Sequence, residues 1–487
     1  MINNSLNVRF AGLNRYEAVK TSKPVVQESK PEFQQNSAKT NPVAFKGWLN
    51  AVSFQAKLDN PQDKAMYSQI SEFIGKENQA KFDNLLKTGK LLSNKSNDGS
   101  STLQNLHKIM TTPRADGLDN KKVLIETIKT IENPMIINQN FGKIPDLETP
   151  SILANEWFTT FNKGMGFNSK LAPHFNDAKY TGPFIAVTKE DMNVEYSGTC
   201  VASSIEFNLA DRKPAEFTRL VASLSAPEMT AEINLKYNDI AKNKLEAVET
   251  LNSFGMDHSS VDFDTVKVKI RPDKNALVRA KIQQNRPDNN TRSLVDTIMQ
   301  STFMQLGSAN TYNTLLDKRN DDFITDGKGL AQFEVNTVEN IVDNDVDGAV
   351  DNVSVVYQNV DDTGKVTSYN YDYNTTKKQI IDTLNSDKNV IMGITELDKN
   401  NQIVGNSGHE ITIIKAEEGK DGKTTFIGSD SDDNYIGAIS IKEEDLIPKI
   451  HHAELSAKAL PKDNTKPQGY VLLDEFMKLN NNNVKAN

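Results

Sequence analysis

Residues 196–207 read Tyr-Ser-Gly-Thr-Cys-Val-Ala-Ser-Ser-Ile-Glu-Phe, with Leu209 shortly after. A glycine turn at Gly198 and a threonine of N-cap type, Thr199, stand immediately before the cysteine. Val201, Ile205 and Leu209 then recur every four residues, the spacing of one helix face, so the stretch predicts a buried helix that begins at or next to the sulfur of Cys200. A thiol at that place faces unpaired backbone N–H groups and the positive end of the helix dipole, both of which favour thiolate over thiol. Cys200 is the only cysteine of the chain, which excludes an internal disulfide and any cysteine-based zinc or iron–sulfur cage. What is left is a reactive thiol, a small buried hydrophobe or an intermolecular bridge.

Outward from this helix, 201–224, 230–252 and 292–317 carry helical spacing, whereas 353–358, 366–373, 389–396, 409–417 and 423–429 read as strands bounded by Gly, Asn and Asp turns. Helices first and antiparallel strands afterwards predict an α+β fold for residues 150–475. Upstream, residues 47–145 show helical spacing again, as in Met66, Tyr67, Ile70, Phe73 and Ile74 or Leu124, Ile128 and Ile131, and predict a small α-helical domain. Residues 1–46 are rich in Asn, Gln, Lys, Ser and Pro without periodicity and read as a disordered tail, and residues 476–487 as a flexible C-terminus. Within the tail, Val8-Arg9-Phe10-Ala11-Gly12 and Val43-Ala44-Phe45-Lys46-Gly47 share V-x-F-x-G, a pattern suited to docking on a protein partner.

Composition removes several function classes. The 487 residues carry 56 Lys and Arg against 65 Asp and Glu, a net charge of −9, so no field draws the chain to nucleic acid or to an anionic lipid surface. No apolar run approaches the roughly 18 residues of a membrane helix. The start, MINNSLNVRFAGLNRYEAVK, lacks the basic-then-apolar layout of a secretory signal, which leads us to expect a cytoplasmic protein or one exported without a cleaved signal.

A thiol nucleophile needs a base, and the histidines are His107, His174, His258, His409, His451 and His452. His409 stands in Asn406-Ser407-Gly408-His409-Glu410-Ile411-Thr412-Ile413-Ile414, a turn opening directly into a β-branched strand that would hold an imidazole rigidly at its mouth. His107 sits beside Leu106 on a helix, His174 follows a proline in a loop and His258 comes after a helix. The His451–His452 pair falls in a helical-looking stretch, where solvated surface is the expected role. From His409 the strand runs to Glu417, turns through Gly419-Lys420-Asp421-Gly422 and returns from Thr424 to Asp432. Such a hairpin brings Asp430, Asp432 or Asn434 opposite His409. Asp430 is the first choice because the apolar part of the returning strand stops there, with Asp432 and Asn434 as alternatives.

Three pieces, in this chain order, resemble the papain-like cysteine peptidases. They are Gly198-Thr199-Cys200-Val201-Ala202-Ser203-Ser204 opening a helix, Gly408-His409-Glu410-Ile411-Thr412-Ile413 opening a strand, and Phe426-Ile427-Gly428-Ser429-Asp430 ending its partner. The resemblance covers roughly residues 150–475. It implies a two-lobed domain, with the cysteine-bearing helix in a helical left lobe, the histidine in a right lobe of antiparallel strands, and a cleft between them. It also implies Cys200 as nucleophile, His409 as general base and acid, Asp430 as the group orienting the imidazole, a peptide or protein substrate, and no cofactor. Family members place a glutamine about six residues before the cysteine to help bind the oxyanion. That position is Val194 here, flanked by Asn193 and Glu195, so Asn193 and Cys200 itself are the oxyanion candidates, while ionised Glu195 would repel an oxyanion. Val201 replaces the tryptophan that often follows the cysteine, and the long separation of Cys200 from His409 implies an insertion around 255–350.

The same three side chains would serve a transglutaminase-like or deamidase reaction on glutamine side chains, where aspartate as third member is common. From another class, the missing glutamine would suit a catalytically inactive peptidase fold used as a binding or scaffold module. Residues 1–150 would then make the contacts, or in an active enzyme would act as an inhibitory propeptide.

A separate acidic stretch, Asp343-Asn344-Asp345-Val346-Asp347-Gly348-Ala349-Val350-Asp351, opens like the D-x-D-x-D-G of a calcium loop. Its twelfth position is Ser354 rather than Glu, so a solvated acidic loop is the default and calcium through Asp343, Asp345, Asp347 and Asp351 the alternative.

Overall fold

A computed structural model of the protein describes residues 58–142, 197–241, 243–286, 291–319, 329–344, 352–361, 363–432 and 438–460. The V-x-F-x-G motifs, the N-terminal tail and the C-terminus lie outside these residues.

The N-terminal helices are set by their caps. In α1 (Pro61–Ile74) the Asn60 side chain accepts from the Gln62 N–H at 2.8 Å and Pro61 takes the first position, where a missing N–H costs nothing. Gly75, at φ +84°, turns the chain into α2 (Lys76–Lys87). Ser101 and Gln104 form a reciprocal capping box on α3 (Thr102–Thr111), and Asp119 caps α4 (Asn120–Glu132). Their buried faces, with Ile70, Phe82, Leu106 and Ile128 among them, share one apolar core with Val201, Ile205, Leu220, Met299 and Phe303. This helical segment therefore packs into the rest of the molecule rather than around a core of its own, and detaching it would expose much of that shared surface.

The thiol-bearing helix α5 (Cys200–Arg212) follows, and then α6 (Pro214–Leu224). The single helix expected over 201–224 is divided because Pro214 has no N–H and starts a new helix at its first position. The helix expected over 230–252 is corrected more strongly. Ala231–Lys236 is a strand, β1, whose residues alternate buried and exposed, so the period is two where a period near 3.6 was read. After α7 (Lys244–Ser253), strands β2 (Asp257–Ser260) and β3 (Thr265–Ile270) complete an antiparallel three-stranded sheet in the order β1-β3-β2. Helices α8 (Ala276–Gln283), α9 (Leu294–Gly307) and α10 (Gln332–Val342) follow, α9 ending ten residues before the expected 317.

A six-stranded antiparallel sheet makes up the C-terminal part. Its strands are β4 (Asn352–Val356), β5 (Val390–Leu397), β6 (Ile403–Glu418), β7 (Thr424–Ser429), β8 (Ile439–Lys442) and β9 (Ile450–Ser456), in the order β8-β7-β6-β5-β9-β4. The strand expected over 366–373 stops at Tyr369, because the Asp372 carboxylate caps a further helix, α11 (Tyr373–Asn385). One sheet face, with Val355, Met392, Ile411, Ile413, Phe426 and Leu455, buries itself beneath α11 in a second core. The opposite face meets the helices through α5 and α10 and is polar, carrying Glu410, Thr412, His452, Glu454 and Ser354. The fold is thus mixed α and β, and the expected order of helices first and antiparallel strands afterwards is broken by the small sheet β1–β3, which precedes α8, α9 and α10. Among the described residues no helix is long and apolar enough to cross a membrane.

Candidate active site

Cys200 opens α5 and is partly exposed. Thr199 does not cap the helix as its type suggested, since its side chain makes no capping bond. Its hydroxyl instead lies 2.7 Å from Ser197 Oγ, donates to Gln300 Oε1 at 3.3 Å and accepts from the Arg292 guanidinium. The first N–H of α5 to find a main-chain partner is that of Ser203, which donates to Thr199 O at 2.9 Å. The N–H groups before it are the donors that a helix end leaves open, and they open beside the sulfur.

His409 Nε2 and Asp430 Oδ1 are 2.7 Å apart, and both side chains keep about a fifth of their surface, 22% and 21%. Burial opposes a charge on the ring, but the hydrogen bond the ring donates to Asp430, the interaction with the Cys200 sulfur and the charges of both outweigh it, and the His409 pKa is held well above its ordinary 6.5. Asp430 engages Nε2 of the ring, and Cys200 is the other side chain that interacts with it. For Asp430, burial pushes toward the neutral acid, yet the bond and charge of His409 and the Asp432 N–H, at 3.0 Å, hold its pKa below the usual carboxylate value. Both shifts favour the imidazolium–carboxylate form of the pair.

The hairpin places these groups by a shifted register. Thr412 pairs with Ser429, with an irregularity between Ile413 and Lys415, and β7 ends there. Asp430 lies just beyond the ladder, free to reach His409. Asp432 is turned elsewhere, its Oδ1 accepting from Gln139 Nε2 at 2.9 Å and Asn140 Nδ2 at 3.0 Å. Asn434 and the oxyanion candidate Asn193, with Val194 and Glu195, lie outside the described residues.

The sequence reading assigned no part in the site to Ser203, Ser431, Gln139 or Arg292. Ser203, one turn into α5, shares a hydrogen bond with Ser431, whose hydroxyl donates to Gln139 Oε1 at 2.9 Å. Arg292 is fully buried, donates through Nε to Gln139 O at 2.9 Å and through its guanidinium to Ser197 Oγ at 2.7 Å, and pairs with Asp317 at 3.2 Å. Its planar group lies 3.7 Å from the Phe141 ring centre. Apart from Ser203, none of these residues forms a motif with Cys200 or His409, and the only local signal is that Gln139, Asn140 and Phe141 follow closely on the N-terminal helices.

Of the other histidines, His107 bonds Gln69 Oε1 at 2.7 Å, and His258, in strand β2 after a helix, bonds Asn252 Oδ1 at 3.1 Å. His174 lies outside the described residues. The helical, solvated reading of His451 and His452 is corrected, since both lie in β9 and His452 is buried with Nε2 2.7 Å from Glu410 Oε1. In the acidic stretch Asp343 pairs with Lys213 at 3.0 Å, while Asp345, Asp347 and Asp351 lie outside the described residues. Among the described residues no group of three or more His, Cys, Asp or Glu side chains could hold a metal ion. No protein-family model matches the chain and no curated protein matches it, so what the site does has to be argued from its geometry.

Proposed function

We propose that this protein is a papain-like thiol hydrolase that cleaves peptide bonds, with Cys200 as nucleophile, His409 as base and acid, and Asp430 as the group that orients the ring. The observation that carries the proposal is the Asp430–His409 bond of 2.7 Å on a ring whose other partner is the Cys200 sulfur, at the open end of a helix. A helix-borne thiol beside a strand-borne histidine also suits a two-lobed arrangement in which substrate reaches the partly exposed sulfur at the N-terminal end of α5.

In the proposed reaction the Cys200 thiolate, paired with His409 imidazolium, attacks the substrate carbonyl carbon. The oxyanion accepts from the Cys200 N–H at the start of α5, the described member of the two oxyanion candidates. As the tetrahedral species collapses, the C–N bond breaks and the imidazolium proton passes to the leaving amine, which departs and leaves a thioester. A water then gives a proton to neutral His409 and attacks the thioester, and the thiolate leaves with formation of a carboxylic acid product. No step requires a cofactor.

The test is hydrolysis of a peptide library by the full chain beside its Cys200→Ala variant. Cleavage by the parent and none by the variant supports the proposal. The aspartate in the third place also suits action on glutamine side chains, and release of ammonia without backbone cleavage would favour a deamidase.

A further inference from the structure

We propose that Gln139, in the link that follows the N-terminal helices, is a positioning residue for the Asp430–His409 pair, so that the helical segment upstream of the papain-like region completes the active site. The proposal rests on the thiol-hydrolase reading above.

Strand β7 stops at Ser429, so no ladder holds the chain at Asp430, Ser431 and Asp432. Gln139, only 2% exposed, supplies that hold with both ends of its amide and with its main chain. Its N–H donates to Ser431 O at 3.1 Å, its Oε1 accepts from Ser431 Oγ at 2.9 Å, and its Nε2 donates to Asp432 Oδ1 at 2.9 Å. Asn140 adds a bond from Nδ2 to Asp432 O at 2.6 Å. Asp432, so fixed, turns its own N–H onto Asp430 Oδ1 at 3.0 Å, the same oxygen that lies 2.7 Å from His409 Nε2. The direction of the carboxylate, and with it the tilt of the imidazole, is therefore set from Gln139 through one intervening residue. On its other side the Gln139 carbonyl receives Arg292, which holds Ser197 and Thr199 just before Cys200. One buried residue thus has a bond toward each half of the site while touching none of the reacting atoms.

A simple tether between segments would make the same contacts, and the two roles differ in what their loss changes. Loss of a tether lowers the melting temperature. Loss of a positioning residue weakens the grip of Asp430 on His409, lowers the pKa of the ring and slows turnover without changing substrate affinity.

The experiment uses the full chain with Gln139→Met, which keeps side-chain length and leaves the main-chain bonds to Ser431 and Arg292 in place. Ser431→Ala serves as a second variant. Peptide hydrolysis gives kcat and KM, and the pH dependence of Cys200 alkylation by iodoacetamide gives the limb at which His409 loses its proton. The expected result is a fall in kcat of roughly ten- to a hundredfold at nearly constant KM, with the alkaline limb moved to lower pH. Folded variants with the parent's kcat and the parent's limb, differing only in melting temperature, overturn the proposal. If Gln139→Met does not fold, Ser431→Ala decides by the same readouts. A parent protein that is alkylated with this limb but cleaves no peptide removes the hydrolase reading, and the limb in the variants still decides the role of Gln139. A parent thiol whose alkylation does not depend on His409 overturns both.

Discussion

Ser203 and Ser431 are 228 positions apart in the chain, and their hydroxyl oxygens lie 2.5 Å from one another. Ser203 is one helical turn from Cys200 and Ser431 is the neighbour of Asp430, so this bond ties the helix that carries the thiol to the strand end that carries the carboxylate. Because the Ser431 hydroxyl donates to Gln139, removing the Ser203 hydroxyl strands no buried donor. Ser203→Ala removes this bond and the one the hydroxyl donates to Cys200 O at 2.8 Å, and should cost about 1–2 kcal/mol in urea unfolding. It should also lower kcat several-fold, measured on the same preparation.

The pH dependence follows from the directions of the two shifts. His409 is raised above 6.5 and Asp430 lowered below 3.8, so the imidazolium–carboxylate pair persists from the acid range up through the raised histidine value. A histidine raised on folding contributes stability that is complete below its unfolded value and is lost as pH rises through the folded one. Asp430→Asn removes the charge that holds the proton. The alkaline limb of Cys200 alkylation should then move to lower pH, and an unmoved limb would show that Asp430 does not set it.

Near α5 the carboxyls of Glu206 and Asp296 are buried, and that of Glu126 is half-buried. Burial and then the charge of Asp296 push the Glu126 carboxyl up to about 7. The folded state thus holds this proton to higher pH than the unfolded chain does, and stability is lost as pH rises from about 4.5 to about 7. Glu126→Gln should be nearly neutral at pH 4 and should stabilise the protein by about 2 kcal/mol at pH 8, read from urea midpoints at both values.

On the helix-facing side of the sheet, Gly393 is flanked by Glu410 on β6 and His452 on β9. A Cβ there would sit 2.2 Å from His452 Cε1 and 2.8 Å from Glu410 Oε1. Burial opposes a charge on His452, but Glu410 outweighs it and raises the ring's pKa, so the pair is worth most when it is intact. Gly393→Ala should force the two apart and cost about 3 kcal/mol, visible as a lower thermal midpoint.

The elements that carry the proposed chemistry were legible because their signals are local. The four-residue spacing of Val201, Ile205 and Leu209 marked a helix at Cys200, and the β-branched run after His409 marked a strand. The apolar stretch of the returning strand ends at Asp430, the carboxylate bonded to the His409 ring. What stayed hidden depends on distant packing. Nothing near Gln139 or Arg292 announces a partner about 290 or 90 positions away, because such bonds have no sequence period. Ile450–Ser456 looked helical because its buried polar residues, His452 and Glu454, blur the alternation of a strand whose inner face is not apolar. Ala231–Lys236 was lost inside a longer window of helical spacing, although its own alternation was visible.

The most direct measurement is the rate at which an epoxide electrophile labels Cys200, located by mass spectrometry, in the parent chain and in His409→Ala. Stoichiometric labelling at Cys200 in the parent, with a rate at least about a hundredfold lower in the variant, is the expected result if Asp430, His409 and Cys200 act as one unit. Equal rates in the two proteins, or a parent thiol that does not react, would contradict it.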